Sequence, residues 1–236
     1  MGTSKVLNRQ QKAAIISGAA LLIMTIAAFF LYGYVHSSIV SDGDDIATLK
    51  NIQTSGSLFE LEILGWIVII LMDLLVSWGF YMFLKPFHQK YASVSGWLRL
   101  LYTFMLGTAV SHLIFANKTA SEALFSESAD MAASSVMSSF KSFESVWSMG
   151  LIIFGLHLIT AGFAAWKSKQ IPKLISSLVM AAGFSYTLVH IMYRFMPQVE
   201  RLTVVVESIL LLPMFIGELG FAIWLLVKGR KLSSAN

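Results

Sequence analysis

The clearest structural unit of the sequence occupies residues 150–186 and reads GLIIFGLHLITAGFAAW, KSKQIPK, LISSLVMAAGFSY. Two apolar arms flank KSKQIPK, a short basic segment that contains a proline. A helix needs about 20 mainly apolar residues to cross a bilayer, and further apolar sequence extends the second arm. The stretch therefore predicts two membrane-spanning helices that are joined by a tight turn.

The composition of the whole chain indicates the same class of protein. Of its 236 residues, 56% are hydrophobic and 13% are charged, whereas soluble domains average about 25% charged residues. The chain has no cysteine, which excludes disulfides and zinc–thiolate sites. The predicted fold class is all-α, a polytopic membrane protein with a single six-helix transmembrane domain over residues 1–236. Its six spans are predicted at 13–35, 61–84, 97–116, 146–166, 174–193 and 204–227.

Charged residues alternate between the connections of these spans. Basic residues without acidic neighbours occupy the N-terminal segment, the second and fourth connections and the tail; they are Lys5, Arg9, Lys12, Lys85, Lys90, Arg99, Lys167, Lys169, Lys173, Lys228, Arg230 and Lys231. The other connections hold most acidic residues, among them Asp42, Glu127 and Glu144. Basic connections stay in the cytoplasm, so both termini are predicted to be cytoplasmic. Topology thereby accounts for the positive net charge, and no nucleic-acid partner is expected.

Two connections carry further expectations. The connection 117–144 is rich in serine and alanine, with large apolar residues at roughly helical spacing. It is predicted either as an amphipathic helix on the outer membrane surface or as a mobile polar loop. His36 and His88 lie in connections or at the membrane interface, and both are predicted to be solvated.

Ionisable side chains inside the spans are the first candidates for a functional site, because each costs about 3 kcal/mol in hydrocarbon. Counting the helical rise from the span ends places Asp73, His157 and Glu218 near the midplane. These three residues are predicted to contact a ligand or ion, with Glu62 and Ser77 in support because they share a helical face with Asp73. The alternative is structural, with Asp73 and His157 simply pairing.

A second polar set lies nearer the outer side of the membrane. His112, His190 and Glu207 are level with Arg194, and two histidines with a carboxylate form a plausible divalent-metal site. Glu207 is equally expected to form an ion pair with Arg194. Pro213 removes a backbone N–H from the last span, which predicts a kink and a free carbonyl.

Glycines around the last midplane carboxylate predict close packing. Gly217 and Gly220 flank Glu218, and small residues allow membrane helices to approach closely. Both glycines are therefore expected to contact a neighbouring helix.

The opening stretch also carries a family resemblance. FGLH at 154–157, KSKQIPK at 167–173, AGFSY at 182–186 and GELGFAIWLLVKG at 217–229 resemble the pattern of a family of bacterial six-span membrane proteins catalogued as domain of unknown function 4386. WLRLLY at 97–102 also fits this pattern. The resemblance implies the fold and a membrane location, and it implies no established reaction, substrate or cofactor.

Three functions remain open from the sequence. The first is a non-enzymatic bundle that binds a small ligand, a lipid or an ion in a transporter-like, sensory or accessory role. The second is a metal-dependent hydrolase that acts on a lipid, with metal at His112, His190 and Glu207 and with Glu62 or Asp73 as general base. The third is a haem protein in which His112 and His190 are axial ligands. Membrane lipids are the expected partners. The sequence implies no cofactor strongly, and a divalent metal is possible.

Overall fold

The computed structural model describes residues 8–125 and 129–232, and most of these residues are helical. Within these residues there is no strand. Lys5 and Glu127, two residues of the charge pattern, lie outside the described residues. The α-helices are α1 Arg9–Phe30, α2 Ser37–Ile39, α3 Asp45–Thr54, α4 Gly56–Leu84, α5 Gln89–Glu122, α6 Ala129–Trp166, α7 Lys173–Phe195 and α8 Glu200–Val227. A π-helix, Leu31–His36, follows α1, and short 3-10 helices occupy Ala123–Phe125, Pro197–Val199 and Gly229–Lys231.

Six helical segments of the described chain are long and apolar enough to cross a membrane. Each of them contains one of the spans predicted from the sequence and extends it at one or both ends. The all-α class with six candidate spans is therefore confirmed. The segments are Arg9–Ile39, Gly56–Leu84, Gln89–Glu122, Ala129–Trp166, Lys173–Phe195 and Pro197–Lys231.

The segment at 117–144, predicted as an amphipathic surface helix or a mobile loop, is mainly helical in its described residues. Helix α5 continues to Glu122 and helix α6 begins at Ala129, so its described residues belong mainly to the ends of two long helices. The physical reason is burial, because Val136, Phe140 and Phe143 of this segment are at most 1% exposed. Alanine, which is frequent here, is also the strongest helix former.

The tight turn predicted between α6 and α7 is present and is held by Ser168. Its hydroxyl accepts hydrogen bonds from the backbone N–H of Gln170 at 3.0 Å and of Ile171 at 3.3 Å. The ammonium of Lys173 donates to the carbonyl oxygen of Trp166 at the end of α6. A cation is favourable at that position because the carbonyl end of a helix carries partial negative charge.

The described chain divides into two compact units. The first unit comprises Met1–Ile23, Met72–Tyr102 and Leu151–Asn236, and the second comprises Met24–Leu71 and Thr103–Gly150. The first unit thus contains the α6–α7 turn together with α7 and α8. The second contains the π-helix, α2 and α3.

Close helix contacts in the first unit depend on glycine. A Cβ atom at Gly155 of α6 would lie 2.5 Å from the carbonyl oxygen of Gly183 of α7, and the reverse distance is also 2.5 Å. A Cβ atom at Gly217 of α8 would lie 2.5 Å from the carbonyl oxygen of Leu178 of α7. The predicted contact at Gly217 is therefore confirmed, whereas the one at Gly220 is wrong because nothing lies within 4 Å of that position.

Candidate functional site

One face of α4 is polar and buried. Glu62, Trp66, Asp73 and Ser77 are each at most 4% exposed, and steps of four and seven residues keep them on one side of the helix. The shared face predicted from the sequence is therefore present. Glu62 and Trp66 belong to the second unit, whereas Asp73 and Ser77 belong to the first.

The centre of the first unit is an ion pair between Asp73 on α4 and Arg99 on α5. Nη2 of Arg99 donates a hydrogen bond to Oδ1 of Asp73 at 2.5 Å, and both side chains are 0% exposed. The sequence placed Arg99 in a cytoplasmic connection, and this was wrong because α5 begins at Gln89 and carries Arg99 well inside the bundle. A carboxylate buried at this depth requires such a partner, since an unpaired buried charge is strongly destabilising.

Two aromatic rings enclose the guanidinium of Arg99. Its Cζ atom lies 5.7 Å from the ring centroid of Phe80 and 5.2 Å from that of Phe154. Cations are attracted to aromatic faces within about 6 Å of the centroid. The two rings also exclude water, which strengthens the attraction between the guanidinium and the carboxylate of Asp73.

His157 on α6 extends this ion pair, and its tautomer follows from its neighbours. Its Nε2 lies 3.1 Å from Nη1 of Arg99, and a guanidinium can only donate. Its Nδ1 lies 2.9 Å from the carbonyl oxygen of Ser95, which can only accept. His157 is therefore neutral, with the proton on Nδ1 and the lone pair of Nε2 directed at the guanidinium.

Glu218 on α8 lies beside these groups. Its carboxyl group shares a side-chain hydrogen bond with the hydroxyl of Tyr186 on α7, and it interacts electrostatically with Arg99 and Asp73. The structure thus brings together the three midplane residues that the sequence singled out, and it adds Arg99. We call Asp73, Arg99, His157 and Glu218 the Arg99 cluster.

The charges of the Arg99 cluster do not balance. Two carboxyl groups face one guanidinium, which is already engaged by Asp73 and His157. Oδ2 of Asp73 is buried and has no hydrogen-bond partner among the described residues. In a medium of low dielectric, the carboxyl group of Glu218 therefore needs a proton or another cation to be neutral.

The residues predicted to form a metal site are not grouped as one. No set of three or more histidine, cysteine or acidic side chains is arranged to hold a metal ion in residues 8–125 and 129–232. His190 and Glu207 belong to the first unit and His112 to the second. Glu207 accepts a hydrogen bond from the hydroxyl of Tyr193 at 2.5 Å. Arg194, the residue predicted to form an ion pair with Glu207, is exposed.

The other residues that the sequence predicted for a site are not members of the Arg99 cluster. Ser77 donates a hydrogen bond to the carbonyl oxygen of Gly96 at 2.9 Å and so links α4 to α5. His112 lines a groove of about 530 Å³ together with Phe115 and serines of α6. Pro213 lies inside α8, which continues on both sides of it.

His36 is buried in the second unit, although the sequence predicted a solvated side chain. It ends the π-helix and is 4% exposed. Its Nδ1 lies 2.8 Å from Oε1 of Glu62, and Nε1 of Trp66 donates to the same oxygen at 3.3 Å. The sequence could not indicate this, because a π-helix changes which side chains face the core and has no simple periodic signature.

Comparisons with known proteins give a family without an assigned function. The family model described as "Domain of unknown function (DUF4386)" matches residues 16–229, a range that includes the whole Arg99 cluster. An uncharacterized protein of Archaeoglobus fulgidus is 28% identical over 172 residues, which cover 73% of this chain and 86% of that relative. No solved structure matches the chain.

Proposed function

We propose that this chain, an integral membrane protein that belongs to the DUF4386 family, binds a small monovalent cation, a proton or Na⁺, inside its helix bundle. The binding group is the carboxyl group of Glu218, and the role is transporter-like. The observation that carries the proposal is the fully buried ion pair of Asp73 and Arg99 with a second carboxyl group beside it.

The balance of charge favours a cation over an anion. The guanidinium of Arg99 is the one cation of the cluster, and Asp73 neutralises it. His157 adds no charge, because its hydrogen bonds define the neutral tautomer. An anion would therefore add to the negative charge of Glu218, whereas a proton or Na⁺ removes that charge.

A purely structural role explains the Asp73–Arg99 pair but not Glu218. An ion pair needs one carboxylate for one guanidinium, and each further charge within a span costs about 3 kcal/mol. Replacing Glu218 with an apolar residue would remove that cost if packing were its only role. Ionisable groups retained at this depth commonly mark ion pathways and proton relays.

We place the protein in the cytoplasmic membrane of a bacterium, with both termini on the cytoplasmic side. Support comes from the basic residues of the α6–α7 turn and of the chain end after α8, since such residues are retained in the cytoplasm. Lys85, between α4 and α5, and Lys90, in the first turn of α5, add to this pattern. Arg99 no longer counts toward it.

Thermal unfolding of the detergent-purified full chain tests cation binding. Na⁺, K⁺ and choline are compared as chlorides at several pH values, and Na⁺ is also added as the sulfate. A ligand at 100 times its Kd stabilises a protein by about 2.7 kcal/mol. A bound cation should therefore raise the midpoint temperature of unfolding, and Glu218→Gln should abolish this increase. If the ion is Na⁺, its effect weakens at low pH because protons compete with it.

The matched control is Glu207→Gln. Glu207 also lies on α8 and pairs with a tyrosine of α7, here Tyr193. This variant is expected to keep the full cation response. A cation response that persists in Glu218→Gln, or stabilisation that follows the anion instead of the cation, contradicts the proposal.

A further inference from the structure

We propose that His36, Glu62 and Glu144 of the second unit form a proton-transfer relay, in which His36 passes protons between an exposed and a buried carboxyl group. We call these three residues the His36 relay. It uses residues other than those of the Arg99 cluster, and its test is independent of cation binding at Glu218.

The geometry of the imidazole supports the relay. Nδ1 of His36 lies 2.8 Å from Oε1 of Glu62, and Nε2 lies 3.6 Å from Oε1 of Glu144. The side chain of Glu62 is 0% exposed and that of Glu144 is 47% exposed. An imidazole accepts a proton on one nitrogen while it releases one from the other, which makes histidine the usual proton shuttle. A small rotation of Glu144, or one bridging water, spans the longer distance.

The position of Glu144 gives the relay access to water. The preceding part of α6 has polar residues on its exposed face, Lys141 among them, whereas the mainly apolar part of the helix begins at Val146. Glu144 therefore lies at the boundary between these parts, on the side where protons are available. The side chain of Glu62 is 0% exposed and has no such access to water.

Three polar atoms around His36 are buried without a hydrogen bond. Nε2 of His36, Oε2 of Glu62 and Nε1 of Trp147 have no hydrogen-bond partner among the described residues. Nε2 of His36 lies 3.6 Å from Oε1 of Glu144, beyond hydrogen-bond distance. Its lone pair is the position that receives the proton from Glu144 in the relay.

Aromatic rings hold the imidazole in this orientation. Ring centroids lie 4.9 Å away for Tyr32, 5.3 Å for Phe140 and 5.6 Å for Phe143. The titratable groups that face His36 are Glu62 from α4, Glu144 from α6 and the phenol of Tyr32 from its own helical segment. The π-helix that ends at His36 is itself a form found frequently at functional sites.

The transfer step is balanced within the three side chains. Glu144 takes up a proton from water, while His36 carries its proton on Nδ1 and Glu62 is a carboxylate. The Glu144 O–H bond breaks as an N–H bond forms at Nε2, which makes His36 an imidazolium between two carboxylates. The Nδ1–H bond then breaks as an O–H bond forms at Oε1 of Glu62. His36 ends neutral in its other tautomer, and the reverse step returns the proton.

The chain provides its own reporter for this step. Nε1 of Trp66 donates to Oε1 of Glu62, the oxygen that receives the proton, so the fluorescence of Trp66 changes when Glu62 is protonated. Rapid pH jumps are applied to the detergent-purified full chain while tryptophan emission is recorded. Trp66→Phe identifies the part of the signal that comes from this residue.

Removing the carboxyl group of Glu144, through which protons enter the relay, is expected to slow the fluorescence change without abolishing it. In Glu144→Gln the rate falls by about a hundredfold, the lower end of what a positioned acid–base group contributes to proton transfer. Added imidazole buffer restores the rate, because it delivers protons to Nε2 directly. His36→Gln loses the Trp66 signal, and imidazole does not restore it. Glu122→Gln, which alters an exposed carboxylate paired with Lys118, behaves like the wild type.

Two results overturn the relay. The first is a wild-type rate in Glu144→Gln, and the second is a slowed rate that imidazole fails to restore. Circular dichroism shows whether His36→Gln has folded. If it has not, the Glu144→Gln measurements decide alone, since this exposed side chain is not needed for the core.

Discussion

Arg99 of α5 and Asp73 of α4 form an ion pair of 2.5 Å in which neither side chain has any exposed surface. In a membrane-spanning bundle this pair joins two helices where water cannot replace either partner. The charge of each residue can therefore be buried because the opposite charge of its partner lies beside it. The position of Glu218 matters because it adds a second carboxyl group to a pair that is already neutral.

Breaking the ion pair should be costly from either side. Arg99→Gln leaves the carboxylate of Asp73 buried without its partner, which typically destabilises by about 3–5 kcal/mol. Asp73→Asn should cost less, because the carboxyl group of Glu218 remains near the guanidinium. The double variant should be less destabilised than the sum of the single ones, because the two residues interact directly. Denaturation of the purified protein in detergent measures this.

The exposed pair of Lys118 and Glu122 on α5 is the control for that experiment. Solvent-exposed pairs contribute about 0–1 kcal/mol, so Lys118→Gln or Glu122→Gln should change stability little. Additive effects of Asp73→Asn and Arg99→Gln would show that the two side chains are not coupled.

His157 should be a neutral imidazole with its proton on Nδ1. The guanidinium of Arg99 leaves Nε2 only the acceptor role, and the carbonyl oxygen of Ser95 leaves Nδ1 only the donor role. Nitrogen NMR of histidine-labelled protein at neutral pH distinguishes the tautomers, and His157→Gln assigns the signal. A proton found on Nε2 would be incompatible with the hydrogen bond from Arg99.

Two glycines that flank Glu218 should respond differently to the same substitution. A methyl group at Gly217 meets the backbone of α7 at 2.5 Å, whereas Gly220 faces open space. Gly217→Ala should destabilise by about 1–3 kcal/mol through overpacking, and Gly220→Ala should be neutral or slightly stabilising. Equal midpoints of thermal unfolding for the two variants would show that α7 and α8 do not approach as closely at Gly217.

Most of the fold was accessible from the sequence because membrane spans are read from hydropathy. The six spans and the buried face of α4 depend on runs of apolar residues and on helical periodicity, and both signals are strong. The end of α5 and the start of α6 were left with a helix and a loop as alternatives, because their exposed faces are polar, which resembles a loop. Burial of Phe140 and Phe143 extends the helix there.

The candidate site was only partly accessible, for two separate reasons. Asp73, His157 and Glu218 were found because polar residues stand out in apolar runs, whereas Arg99 lies near the start of its apolar run and was counted with the basic connection. WLRLLY contained the available signal, since Arg99 is flanked on both sides by apolar residues. His36 was missed because nothing in the sequence indicated the π-helix that buries it.

The topology proposal predicts the location of two tags. A reporter fused to the C-terminus after the basic segment 228–231 should be active only if that reporter functions in the cytoplasm. A reporter inserted in the acidic connection at residues 41–44 should require the opposite side. Both tags reporting on the same side would contradict this topology and the six crossings that it assumes.

Cation binding at Glu218 is tested most directly by infrared difference spectroscopy of the reconstituted full chain. Spectra are recorded while Na⁺ is exchanged for choline, and separately while the pH is changed. Binding at Glu218 predicts a cation-dependent change in a carboxyl band that disappears in Glu218→Gln and remains in Glu207→Gln. A difference spectrum that is the same in Glu218→Gln and in the wild type would contradict binding at this carboxyl group.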